Sequence, residues 1–139
     1  MKKLTLIIPA KNEKESLPKV LDELKKYECK ILVVIDPEDI VTKNVIQNYD
    51  CKIIQHPEKG YGNALIEGIK SVDTEFLCIF NADGSFDPKY LSKMLELNSS
   101  NNDFVFASRY IKDGGSDDDT TVTLIGNYIF TYLGKFFFN

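Results

Sequence analysis

Apolar and polar positions alternate along this chain in two rhythms, one of strands and one of helices. Leu4-Thr5-Leu6-Ile7-Ile8 is a short run enriched in β-branched residues that stops at Pro9, the pattern of a buried parallel strand. Leu17, Val20, Leu21 and Leu24 then recur at helical spacing, which predicts a helix from about Lys14 to Lys26 with one face on a sheet. Lys30 to Ile35 predicts a second strand, ending at Asp36-Pro37-Glu38-Asp39, followed by a weaker helix over Val41 to Tyr49 and a third strand over Cys51 to Gln55. After His56-Pro57-Glu58, the stretch Lys59-Gly60-Tyr61-Gly62-Asn63 reads as a glycine-bearing loop that opens a helix running through Ile69. Phe76 to Phe80 is a further apolar strand, and Asp87-Pro88 supplies an N-cap and a first-turn proline for a helix carrying Leu91, Met94 and Leu95. Asp103 to Ser108 predicts a fifth strand that ends at Arg109. Strands alternating with helices at these intervals predict an α/β fold, a doubly wound, mostly parallel sheet with helices on both faces. Residues 1–120 would hold it, and 121–139 would form an apolar C-terminal helix.

Composition narrows the function classes. A chain of 139 residues with 43% hydrophobic and 27% charged content suits one soluble globular domain. The net charge of -4 and the lack of a Lys/Arg block argue against a nucleic-acid surface. Cys29, Cys51 and Cys78 are odd in number and show no C-x-x-C spacing, so they read as structural thiols in a reducing, cytoplasmic compartment. The apolar run at Leu4 to Pro9 is too short for a signal peptide, and no stretch approaches the ~18 apolar residues of a membrane span.

Candidate chemistry gathers where the strands end. In an open α/β sheet, ligands bind outside the carboxyl ends of the parallel strands, and right-handed crossovers bring those ends to one rim. Asn12 and Glu13, Asp36, Lys59 to Asn63, and Asn81 to Ser85 all fall there. Side-chain oxygens can hydrogen-bond a base and ribose, the N–H groups at Gly60 to Asn63 can receive a phosphate, and Asp83 can hold a divalent cation on a diphosphate. Each feature alone has a plainer meaning. Asp83-Gly84 and Asp36-Pro37 are common turn dipeptides, Glu13 suits a first helical turn, and His56, the only histidine, reads as an exposed loop residue. A dinucleotide fingerprint would want a third small residue where Leu65 stands. The coincidence of four such loops favours a site.

Four segments, LTLIIPAKNE, VVIDPED, KGYGNALIEGI and FLCIFNADGSFDP, with FASRYIKDGG in support, resemble the donor-binding half of a family 2 glycosyltransferase of the GT-A fold, similar to dolichol- or polyprenyl-phosphate sugar transferases. The resemblance spans Leu4 to about Gly115. It implies a nucleoside diphosphate sugar as partner, with Pro9, Ala10, Glu13 and Asp36 on base and ribose and Lys59, Gly60 and Gly62 against the nucleotide sugar. Asn81, Ala82 and Asp83 match the Asp-x-Asp motif, so Asp83 and Asn81 would hold Mg or Mn, and Arg109 would face phosphate. Inversion at the anomeric carbon and a polyprenyl-phosphate or saccharide acceptor are implied as well. The location would be cytoplasmic, with the inner face of a membrane left open.

The departures from the family pattern are specific. Asn81 replaces the first metal-motif acid, Ile35 the acid before Asp36, Pro37-Glu38 the usual Gly-Ser, and Thr123 stands near the place of an expected basic residue. One fewer negative charge predicts weaker metal binding. No position matches the family's catalytic base, and the apolar stretch ending Phe136-Phe137-Phe138-Asn139 suggests a chain cut before its acceptor-side segment or a surface that pairs with a second copy, with packing back on its own sheet as the plainer alternative. The alternative function is a non-catalytic nucleotide-sugar-binding or assembly domain. A receiver domain would need paired acids after the first strand, and a nucleotidyltransferase a glycine-rich basic loop there, and neither is present.

Overall fold

The structure is a computed structural model that describes residues 3–100, 102–108 and 120–138. The chain divides into two compact units, Met1–Val105 and Phe106–Asn139. The first is built on strands β1 (Leu4–Ala10), β2 (Lys30–Ile35), β3 (Lys52–Gln55) and β4 (Phe76–Ile79), with helices α1 (Leu17–Leu24), α2 (Ile40–Ile46), α3 (Tyr61–Lys70) and α4 (Leu91–Ser99) between or after them. The four strands pair in parallel in the order β3-β2-β1-β4. The sheet runs outward from β1 in one direction and then restarts on its other side with β4, so the switch point lies between β1 and β4.

Alternation along β1 sorts the core into two layers. Leu4, Leu6, Ile8 and Ala10 pack with Leu17, Val20, Leu21 and Leu24 of α1, Ile46 of α2 and Leu91 of α4. Ile7 faces the other way and packs with Leu32, Val34 and Ala64 of α3. Helices therefore cover both faces, as the doubly wound expectation required. Gly68 explains how close α3 comes: a Cβ there would stand 2.5 Å from Ile7 Cγ2 and 3.3 Å from Val34 Cγ2. Helix α1 starts later than its apolar spacing suggests, because Pro18 is tolerated only in the first turn.

Pro9 sits within β1, opposite Val34 of β2. Its missing N–H would point to the side on which Ile7 accepts the Phe80 N–H, and there the β1–β4 register has already ended at Ile7 and Ile79. A central strand can thus carry a proline, because beyond Ile7 it has only β2 as a neighbour. The two strands part at the switch point.

The expected fifth strand does not form. Residues 103–108 join no ladder, and Phe104 and Phe106 are 79% and 85% exposed. Alternating apolar residues show that a segment can bury one face, but strand formation depends on a neighbour to pack and pair with. In the second unit, helix α5 (Thr121–Phe138) begins where Thr120 and Thr123 exchange bonds: the Thr120 N–H donates to Thr123 Oγ1 at 2.9 Å and the Thr123 N–H to Thr120 Oγ1 at 3.3 Å. Among the described residues, no helix is long and apolar enough to cross a membrane.

Candidate functional site

Asp36 directly follows β2 and is buried, although Pro37 and Glu38 beside it are exposed. Its Oδ1 accepts the Glu38 N–H at 3.1 Å, and its Oδ2 meets Lys11 Nζ at 3.1 Å across from the end of β1. The Glu38 N–H first, then the Lys11 ammonium, hold its carboxyl below the usual aspartate range against the opposing effect of burial. The segment is both the turn that its Asp-Pro dipeptide suggests and a carboxylate held ionised within a wall of the site. Lys59 Nζ reaches Glu38 Oε2 at 3.1 Å, so the loop before α3 is tied to the same strand end.

The loop between β1 and α1 is held by α2. Asn12 has a left-handed φ of 62°, and its N–H donates to Asp39 Oδ2 at 2.6 Å. The Glu13 N–H donates to Thr42 Oγ1 at 3.0 Å, while Asp39 Oδ1 caps α2 by accepting the Thr42 N–H at 3.1 Å. Burial raises the Asp39 pKa, but the Thr42 hydroxyl and the Asn12 and Thr42 N–H groups outweigh it and leave the carboxyl below its ordinary range. The Glu13 carboxylate takes the Ser16 hydroxyl just before α1. Lys11, Asn12, Lys14, Asp36, Glu38 and Asp39, with Val41 and Thr42, line an open cleft of about 430 Å³.

His56 corrects an expectation. It is 4% exposed instead of lying out in solvent, and its Nδ1 bonds to the Glu58 carbonyl. Nδ1 must carry the proton toward a carbonyl, so the ring closes the turn that leads to Lys59 and Gly60. Gly60 takes a positive φ of 115° as the N-cap of α3, a conformation that favours glycine, and a Cβ at Gly60 or Gly62 would meet nothing within 4 Å.

The end of β4 is organised differently. Ala82 is buried, whereas Asp83 is exposed, and its Oδ1 accepts the Ser85 N–H at 2.9 Å. Asn81 Nδ2 donates to Ser85 Oγ at 3.0 Å, which turns the amide nitrogen away and leaves Oδ1 as the group's acceptor. The Ser85 hydroxyl and N–H hold the Asp83 carboxyl below its ordinary range. Phe80 and Phe86 pack edge to face, 5.7 Å between centroids, and anchor the turn from below. Among the described residues, no three His, Cys, Asp or Glu side chains form a metal-holding group. The cysteines are free and half-buried, and burial pushes the Cys78 thiol up to about 11, in keeping with a packing role.

The family model described as Glycosyl transferase family 2 matches residues 5–139. This chain belongs to that family. Its family 2 segment is 29% identical to the dolichol-phosphate mannosyltransferase of Pyrococcus furiosus over 121 residues, 81% of this chain and 34% of that protein. It is 32% identical to an uncharacterized glycosyltransferase of Mycobacterium bovis over 92 residues, 66% of this chain and 42% of the other. The chain thus spans between a third and a half of the length of these curated relatives. Among solved structures, CMP:2-keto-3-deoxy-manno-octonic acid synthetase complexed with CTP aligns with a TM-score of 0.57 over 71% of this chain and 48% of its own, at 14% identity, a likeness of fold.

Of the sequence-predicted residues, Pro9, Ala10, Glu13 and Asp36 lie at the ends of the paired strands β1 and β2, and Lys59 joins them through Glu38. Gly60 and Gly62 lie at the start of α3, and Asn81, Ala82 and Asp83 follow β4. Arg109 lies outside the described residues. Sequence reasoning passed over Asp39 and Thr42. An Asp one residue before a helix is a legible cap, but the second oxygen's reach to Asn12 spans 27 residues and leaves no local signal.

Proposed function

We propose that this chain is the donor-binding part of a glycosyltransferase, holding a nucleoside diphosphate sugar at the carboxyl ends of its strands for attack by an acceptor hydroxyl or lipid phosphate. The observation that carries the reading is the buried, ionised Asp36 on the wall of the cleft in a family 2 chain. An ionised carboxylate only accepts hydrogen bonds, which suits the N–H and O–H groups of a base and ribose. The first-turn N–H groups of α3 have no partner within the helix, and with its dipole they favour the diphosphate, while open space at Gly60 and Gly62 lets the backbone approach it. Lys59 adds a positive charge on that side.

A divalent cation fits the donors after β4. Asp83 would supply a carboxylate oxygen and Asn81 an amide oxygen, with substrate oxygens and water filling the shell of a Mg or Mn ion. When bound, the ion would offset charge on the departing diphosphate. Inversion at the anomeric carbon belongs to this reading, as does a polyprenyl-phosphate or saccharide acceptor. The name of the Pyrococcus furiosus relative supports a lipid phosphate, and with it a place at a membrane's inner face. Asn81, where an acid is usual, favours a second reading as a binding-only domain.

Calorimetry with UDP- and GDP-sugars, with and without Mn²⁺, tests the proposal. One donor should bind, and more tightly with the metal. Binding by neither would overturn it, and consumption of a bound donor would remove the binding-only alternative.

A further inference from the structure

We infer that Asp39 and Thr42 are positioning residues for the donor, fixing the backbone of residues 11–13 in the conformation that receives the nucleoside. The inference rests on reading that loop as part of a nucleoside diphosphate sugar site. A helix cap needs one side-chain oxygen, and Asp39 Oδ1 supplies it to the Thr42 N–H. The other oxygen of the same carboxylate and the Thr42 hydroxyl leave the helix and take the N–H groups of Asn12 and Glu13, at 2.6 and 3.0 Å. Both bonds join segments 27 and 29 residues apart, so neither follows from helix formation.

Two features make the clamp matter. Asn12 is held at a φ of 62°, which an L residue rarely adopts, and asparagine tolerates it best after glycine. Thr42 is fully buried and its bond to the Glu13 N–H is partly buried, so removing the hydroxyl would leave that N–H with at best a poorer partner. Glu13 also accepts the Leu17 N–H through its own carbonyl, at 3.0 Å. A displaced Glu13 would therefore disturb both the loop and the entry to α1.

The test uses the full chain and whichever of UDP or GDP it binds with Mn²⁺. Thr42→Val keeps the shape and removes the acceptor. It should abolish hydrogen-exchange protection of the Glu13 amide and weaken nucleotide binding about fivefold, with cooperative unfolding retained, and Thr42→Ser should restore both. Asp39→Asn keeps one acceptor oxygen for the cap and places an amide nitrogen against the other N–H. It should lose protection at Asn12 or Thr42 with a similar loss of affinity, and it carries the test alone if Thr42→Val does not fold. Unchanged affinity in the folded variants overturns the inference and leaves the proposed function standing. A wild-type chain that binds neither nucleotide removes both.

Discussion

The rim at the ends of β1 and β2 and the rim at the end of β4 carry similar side chains and are built in opposite ways. At the first, Asp36, Asp39 and Thr42 bond to residues of another loop, and Asp36 and Thr42 are buried. At the second, the Asp83 and Asn81 side chains bond locally among the described residues, to Ser85 two and four residues away, and Asp83 is exposed. One rim is held by the fold before any ligand arrives. The other is a local turn that offers oxygens outward, a suitable arrangement for an ion that brings part of its own coordination shell.

Four changes probe that contrast, from the largest expected effect to the smallest. Asp83→Ala should remove the whole Mn²⁺-dependent gain in nucleotide affinity, about tenfold or more, while metal-free binding stays; calorimetry with and without the ion reads it, and a persisting gain would place the metal elsewhere. Gly68→Ala should lower stability by about 1–2 kcal/mol, because forcing a methyl between α3 and the stiff Ile7 and Val34 outweighs the helix propensity that alanine adds. Thermal unfolding checks it, and an unchanged or raised Tm would mean that α3 can shift outward at no cost.

Acid titration comes next. The Asp36 carboxyl lies below its ordinary range in the fold, so the unfolded chain binds its proton first as pH falls. Its contribution is therefore present above the ordinary aspartate pKa of about 4 and is lost as pH drops through the lower folded value. Asp36→Asn should flatten that part of the stability curve; an acid limb identical to wild type would show that the charge of Asp36, held by the Glu38 N–H and Lys11, adds nothing to folding. The smallest effect belongs to Lys59→Met. The Lys59–Glu38 pair is exposed on both sides, and such pairs contribute little, so Tm should not move measurably. Nucleotide affinity should still fall slightly, and a clear loss of stability would mean that the loop before α3 is also held by the fold.

The same contrast explains what could be read from the chain. Strands β1 to β4 and their helices were legible because each buries an apolar face with a fixed period, and the turn at Asp83-Gly84 was legible because it is written in adjacent residues. The clamp of Asp39 and Thr42 was not, since its partners are brought together only by the sheet. Nor was the burial of His56, which depends on how the turn after β3 folds back over the ring. The segment 103–108 failed in the other direction: its alternation is that of a strand, but pattern alone supplies no neighbour.

The N–H groups of Asn12 and Glu13, turned inward onto α2, give the rim a polarity. Those two amides are taken up by the fold, and the nearby Lys11 ammonium is engaged with Asp36. The start of α3, by contrast, offers donors and open space. On the proposed reading, a ligand with a neutral, donor-rich end and an anionic end should set its anion toward α3, because the amides of Asn12 and Glu13 are already used.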